Sequence, residues 1–393
     1  MKNIPIFFLL FLVSNYTLAQ TQKEPVLKQM NQDVTYLSSD ELNGRKTGTK
    51  GEKKAAKYIK TQFEKYRLSP KGVKGYYQNF TATIIRNPHS NNSKKKIKGL
   101  NVIGFCDNQQ KETIIIGAHY DHLGKGHTSS LYRGKNQIHN GADDNASGVS
   151  ILINLIDTLC GNKLYNYLFI AFSGEEEGLL GSSFFCKNPT IDLNSIKFML
   201  NFDMVGRLNN KRELAINGTG TSNQWDTLIE ENNKFNFKLI KSESGTGPSD
   251  HTSFYLQNIP VLHFFTGQHE DYHKPTDDVE KINFQGMYSI MSYVISIIEA
   301  SSNLKDFEFQ ETVNNDTNTP KFNVTLGIMP DYLYDKDGLR IDGVSKGKTA
   351  HKYDILKGDV IIHMGDVEIT DIITYMEGLS QFQKGDTTII KIR

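Results

Sequence analysis

Cysteine is scarce: Cys106, Cys160 and Cys186 are the three in 393 residues. They are too few and too scattered for a disulfide framework or a thiolate metal site. The count permits one disulfide with one thiol left over, and it turns any metal hypothesis towards His and carboxylate ligands. An excess of charge is lacking too. The 45 Lys and Arg against 44 Asp and Glu leave a formal net charge of +1, so electrostatics indicate neither nucleic acid nor an anionic membrane as a partner. Permanent membrane spanning is not indicated either. The apolar run at residues 4–13 follows Lys2 and precedes Thr17-Leu18-Ala19, and it is too short and wrongly flanked for a span. It reads as a secretory signal peptide, residues 1–19, cut after Ala19. No Cys follows the cut, which argues against a lipid anchor and predicts an exported chain, periplasmic or extracellular.

What the chain does contain centres on residues 168–183, LFIAFSGEEEGLLGSS. The apolar run 168–172 reads as a buried strand. Glu175, Glu176 and Glu177 follow a Ser-Gly break without a gap. By themselves they read as a solvated acidic turn, because carboxylates crowded at a buried strand end repel one another and lose hydration. A multivalent cation reverses the sign of that problem.

The rest of the chain supplies the context. Residues 31–70 read as a helical entry interrupted by a polar turn, and 76–86 and 99–106 as strands flanking a basic loop, 91–98. Residues 113–118, TIIIGA, form a continuous apolar run of the kind buried on both faces of a mostly parallel sheet. Further strands are expected at 196–202 and 259–265, with helices at 149–159 and 284–300. Strands alternating with helices predict an α/β sandwich with a mixed sheet. His119, Glu175, Glu176 and Asp203 each stand just beyond a buried strand, and His273 in a loop after another. In open α/β sheets ligands bind at the carboxyl ends of strands. A set of His and carboxylate side chains gathered there suits Zn²⁺. Asp121, two residues after His119, points the same way on an extended strand end, where it can hold the other ring nitrogen of that histidine.

HYDH, GADDNASG, FSGEEEGLLGS, NFDMVG and YHKPTD, in this order, resemble the motif blocks of the co-catalytic di-zinc aminopeptidases of peptidase family M28. The resemblance covers roughly residues 30–302. It implies a three-layer α/β/α fold with a mixed, mostly parallel sheet, and two zinc ions bridged by Asp144. His119 and Asp203 would complete one site, Glu176 and His273 the other. Glu175 would be the general base, Asp121 the orienter of His119, and Tyr272 a stabiliser of the oxyanion. A cis Asp144–Asn145 peptide is also implied. Glu177 receives no role, and His122, His127, His139, His251 and His269 are expected to be loop or structural residues.

Residues 303–320 are polar and read as a linker. Beyond it, residues 321–393 resemble a PDZ domain of the kind attached to bacterial proteases, with 324–329 as a degenerate carboxylate-binding loop and strand. Met329-Pro330 interrupts the strand a ligand would pair with.

The resulting expectation is an exported zinc exopeptidase in which domain 20–302 hydrolyses peptides with a free N-terminus. A peptide C-terminus or protein partner is expected at the PDZ-like domain. Two other readings are a glutaminyl cyclase-like zinc enzyme of the same fold, using one functional zinc, and a non-catalytic peptide-binding protein acting through the PDZ-like module.

Overall fold

A computed structural model of the chain describes residues 23–85, 94–126, 129–132, 134, 136–304, 307–312, 324–330, 336–344, 347–370 and 372–393. The expected signal peptide, positions 91–93 of the basic loop, His127 and positions 313–320 of the linker lie outside the described residues.

The apolar runs become the middle of one sheet. Its strands are β1 (Ser69–Pro70), β2 (Tyr77–Ile85), β3 (Lys94–Cys106), β4 (Thr113–His119), β5 (Asn166–Phe172), β6 (Ile196–Phe202), β7 (Glu213–Asn217), β8 (Lys238–Ser242) and β9 (Val261–Phe265). Their order is β1-β3-β5-β4-β6-β9-β7-β8, with β2 also on β3. Neighbours β5, β4, β6 and β9 run parallel. The sheet is mixed because β3 joins β5, and β7 joins β9, antiparallel.

Side chains on these strands alternate between two helical layers, as the period of two requires. Along β5, Tyr167, Phe169 and Ala171 enter one core, and Leu168, Ile170 and Phe172 the other. The first core is closed by α1 (residues 23–37), α2 (Lys50–Lys65), α3 (Gly148–Asn162), α5 (Trp225–Glu231) and α7 (Phe284–Ser301). The second is closed by α4 (Leu180–Lys187) and α6 (His251–Tyr255). Buried on both faces, the central strands need no polar alternation.

Two local expectations change. Residues 94–98, expected in a solvated loop, belong to β3 and pair with β2. Ile97 is buried while Lys96 and Lys98 point outwards, so alternation beats the basic composition. Within the expected linker, Phe307 packs its ring 4.6 Å from Trp225 and 5.0 Å from Phe198. Thr312 N–H donates to the Tyr255 hydroxyl at 2.9 Å, and Gly245 N–H to Thr312 Oγ1 at 2.9 Å. Phe309 packs on Tyr255, so a chain ended after Ser302 is expected to be about 3 kcal/mol less stable than one ended after Thr312, given the apolar area Phe307 and Phe309 cover. Urea midpoints of the two truncations check this.

A second sheet comprises β10 (Ile328–Pro330), β11 (Leu339–Val344), β12 (Val360–Met364), β13 (Val367–Glu368) and β14 (Ile390–Ile392), all pairing antiparallel. With α8 (Thr349–Lys352) and α9 (Ile372–Ser380) it has its own core around Ile341, Ile361, Met364 and Tyr375. The β10–β11 pairing is irregular between Met329 and Pro330.

Cys106 and Cys160, 54 residues apart in sequence, are disulfide-bonded, and Cys186 lies buried in α4. Among the described residues no helix is long and apolar enough to cross a membrane.

Candidate metal centre

The parallel strands end together, and the chemistry collects there. His119 is the last residue of β4, Glu175 and Glu176 lie in the turn after β5, Asp203 follows β6 directly, and His273 lies in the loop after β9. Asp144 comes from residues 142–147, where the Asp144–Asn145 peptide is cis, as the resemblance implies.

Asp144 stands between two groups. Its Oδ1 is 3.4 Å from His119 Nε2, which is itself 3.2 Å from Asp203 Oδ1. Its Oδ2 is 3.3 Å from His273 Nε2, which is 3.3 Å from Glu176 Oε2. An ion holding N and O donors tetrahedrally at about 2.0–2.1 Å keeps them about 3.3 Å apart. The observed separations have that size, and the donor types are those zinc takes, so these residues fit two ions with Asp144 between them. His119 and His273 both face inwards with Nε2. Nδ1 of His273 donates to the Ser129 carbonyl at 2.9 Å, and Nδ1 of His119 lies 3.3 Å from the Asp121 carbonyl. Main-chain acceptors of this kind fix tautomer and ring orientation.

Asp121 differs from expectation in detail. Its carboxylate is 3.8 Å from His119 Nδ1, too long for a hydrogen bond. It instead accepts Glu175 N–H at 3.1 Å and Thr47 Oγ1 at 2.8 Å, so it fixes the glutamate turn as much as the histidine.

The three glutamates separate by side-chain direction. Glu176 lies between His122 and His273. Glu177 pairs with Lys46 at 3.0 Å. Glu175 takes neither contact. Burial pushes its carboxyl well above the ordinary range, and Asp203, Glu176 and Asp250 push the same way against His119. Burial raises Glu176 as well, but His122 and His273 overcome it and hold that carboxyl well below. The same opposition leaves Asp203 lowered by His119, with Ser249 Oγ donating to its Oδ2 at 2.8 Å. Tyr272 stacks on His273, ring centroids 3.8 Å apart, and burial together with Asp144 and Glu176 raises its hydroxyl.

Residues 40–52, expected to be only a polar turn and the start of a helix, brace this centre from beneath. Asn43, Gly44 and Arg45 all have positive φ. A Cβ on Gly44 would stand 2.5 Å from the Gly124 and His139 carbonyl oxygens, so only glycine fits there. The turn aims the fully buried Arg45 guanidinium at main-chain carbonyls: Tyr120 at 2.8 Å, Asn140 at 2.6 Å, Gly141 at 2.9 Å and Leu37. Burial lowers Arg45 to about 10, against Asp144 and Asp121, so it stays charged at neutral pH. Glu52, raised to about 7 by burial, accepts Ser173 Oγ and Gly48 N–H. Asp277 accepts the N–H groups of Asp143 and Asp144 at 2.9 and 3.0 Å.

Four of the expected loop or structural histidines can be placed. His139 bonds Ser130 Oγ at 2.8 Å, His269 lies 3.1 Å from Asp143, and His251 stacks on His263 inside the core. His122 departs from expectation: its Nδ1 is 2.7 Å from Glu176 Oε1, inside the centre.

The sequence profile described as Peptidase family M28 matches residues 101–298, half of the chain. The chain belongs to this family. Among curated M28-like relatives, a probable leucine aminopeptidase of Arthroderma otae is 26% identical over 218 residues, covering 52% of this chain and 57% of that protein. The chain thus spans about half the length of the curated relatives it matches. A leucine aminopeptidase precursor from Bacteroides thetaiotaomicron superposes with a TM-score of 0.56 at 17% identity, over 69% of this chain and 96% of that one. The glutaminyl cyclase of the same organism gives 0.57 at 17% identity, over 69% and 97%. These two likenesses concern the fold.

Proposed function

We propose that the chain is an exported two-zinc aminopeptidase that releases the N-terminal residue of peptides. The observation that carries this reading is Asp144, with one oxygen towards His119 and Asp203 and the other towards Glu176 and His273. The probable leucine aminopeptidases among its sequence relatives support the activity. Bound zinc would lower the pKa of a water and polarise the scissile carbonyl. Glu175 would act as the general base, taking a proton from the attacking water and returning it to the leaving amine, and burial raises its carboxyl above the ordinary range. Asp121 holds the Glu175 main chain in place, and Tyr272 steadies the developing oxyanion. The surrounding carboxylates favour a cationic α-amine, which selects a free N-terminus. The C-terminal sheet serves as a PDZ-like module for a peptide C-terminus or a protein partner, and residues 1–19 direct export.

Metal analysis of the purified protein is expected to give two zinc ions per chain, and aminoacyl p-nitroanilides to be cleaved only with a free amine. One tightly held ion at full activity, with cyclisation of an N-terminal glutamine peptide, would move the chain to the cyclase reading. Equal cleavage of N-acetylated peptides would remove the exopeptidase label.

A further inference from the structure

His122 lies where two roles compete, a further metal ligand or a support for one. Its ring is buried, with centroids 6.4 Å from the His139 ring and 6.1 Å from His273. A Cβ on Gly141 would stand 2.6 Å from His122 Cδ2. That glycine has φ +58, so the ring is seated against bare backbone and its orientation is set by packing.

Distances decide between the roles. Pairs assigned to a common ion stand 3.2–3.4 Å apart, whereas His122 Nδ1 to Glu176 Oε1 is 2.7 Å. Two donors on one tetrahedral zinc stay about 3.3 Å apart, but 2.7 Å is the length of a charge-assisted N–H···O bond. His122 Nδ1 is also farther from Asp144 Oδ2, at 3.8 Å, than His273 Nε2 is. The oxygens of Glu176 divide accordingly: Oε1 takes His122 and Oε2 faces His273. The other ring nitrogen points the same way. His122 Nε2 is buried with no hydrogen-bond partner among the described residues. Ligation through Nδ1 would put the proton on Nε2 and leave a buried N–H orphaned, which native structures avoid. A proton on Nδ1 leaves only a lone pair there.

We propose that His122 is a positioning residue of the second metal subsite, whose Nδ1–H holds the outer oxygen of Glu176 and presents the other oxygen to the ion shared with Asp144 and His273. The inference rests on Glu176 being a ligand, as in the function proposed above. Groups that orient a ligand in this way typically contribute about 10–100-fold to metal affinity.

The test uses the full chain and zinc itself, titrated in chelator buffers, with His122→Phe (ring shape without the donor) and His122→Asn (an N–H donor near the same point). Melting temperatures of the metal-free proteins serve as the control for folding. His122→Phe is expected to bind one ion as the wild type does and to require about 10–100-fold more free zinc for the other. His122→Asn is expected to stay near wild type. Unchanged zinc binding in His122→Phe overturns the proposal, and so does an equal loss in both variants, which would make the imidazole itself the ligand. A fall in the metal-free melting temperature of His122→Phe that His122→Asn shares would reduce the residue to packing and overturn it too. Glu176→Gln separates the two readings. If it keeps both ions, the ligand set and this inference fall together; if it loses one while His122→Phe loses none, only this inference fails.

Discussion

Glu175→Gln is expected to keep both zinc ions and to lose about 10²–10⁴-fold in kcat, whereas Glu176→Gln is expected to lose an ion. The two glutamates are neighbours in sequence, yet their surroundings give them opposite tasks. Glu176 lies between two imidazoles that hold its carboxyl ionised, the state a metal ligand needs. Glu175 has no such partner, and burial with the nearby carboxylates raises it, the state that suits a proton carrier. An amide at 175 keeps the size and the main-chain bond to Asp121 but cannot take a proton. Its KM should change far less than kcat, because the lost interaction belongs to the transition state. An amide at 176 removes an anionic oxygen from the subsite proposed for it with Asp144 and His273. Zinc content and steady-state kinetics on one chromogenic substrate decide both halves. A metal-free Glu175→Gln, or an active one, overturns the assignment of base and ligand.

The parts of this centre legible in the sequence are those whose position follows from strand ends. Runs such as TIIIGA and LFIAF can hardly be anything but buried strands, and polar residues that directly follow them must stand at the sheet's edge, where His119, Glu175, Glu176 and Asp203 are found. His273 was legible only through its motif, since seven residues separate it from β9. His122 was not legible. Three residues past a strand, nothing local fixes which way a side chain turns, and the partner that fixes this one is 54 residues away in sequence. Phe307 was hidden for a similar reason: a single aromatic in a polar stretch has no periodicity, and only the pocket beside Trp225 shows its place. The lysines of residues 94–98 misled in the opposite direction, because composition outweighed the alternation around Ile97.

Arg45 is where composition concealed most. It sits in a stretch rich in Gly, Lys and Thr that reads as solvated, yet its side chain is fully buried beneath the metal centre. Arg45→Met is expected to lower stability by on the order of 4 kcal/mol. Methionine fills much of the same space, so the loss is one of hydrogen bonds and charge rather than of volume. The carbonyls of Tyr120, Asn140, Gly141 and Leu37 all accept from this guanidinium, and buried carbonyls left without a donor cost about 1–3 kcal/mol each. Tyr120 adjoins His119, and Gly141 begins the segment that carries Asp144, so the same cation joins the two loops that flank the Asp144 carboxylate. Arg45→Lys is expected to recover only a minor part. An ammonium offers three donors at one point and cannot span carbonyls that the planar fork reaches from two sides. Urea denaturation of the metal-free chain isolates the hydrogen-bond loss, and zinc titration of the same variants reports the loosening of Asp144. A variant Arg45→Met as stable as the wild type, with unaltered zinc affinity, would show that water replaces the guanidinium and that the two loops hold each other without it.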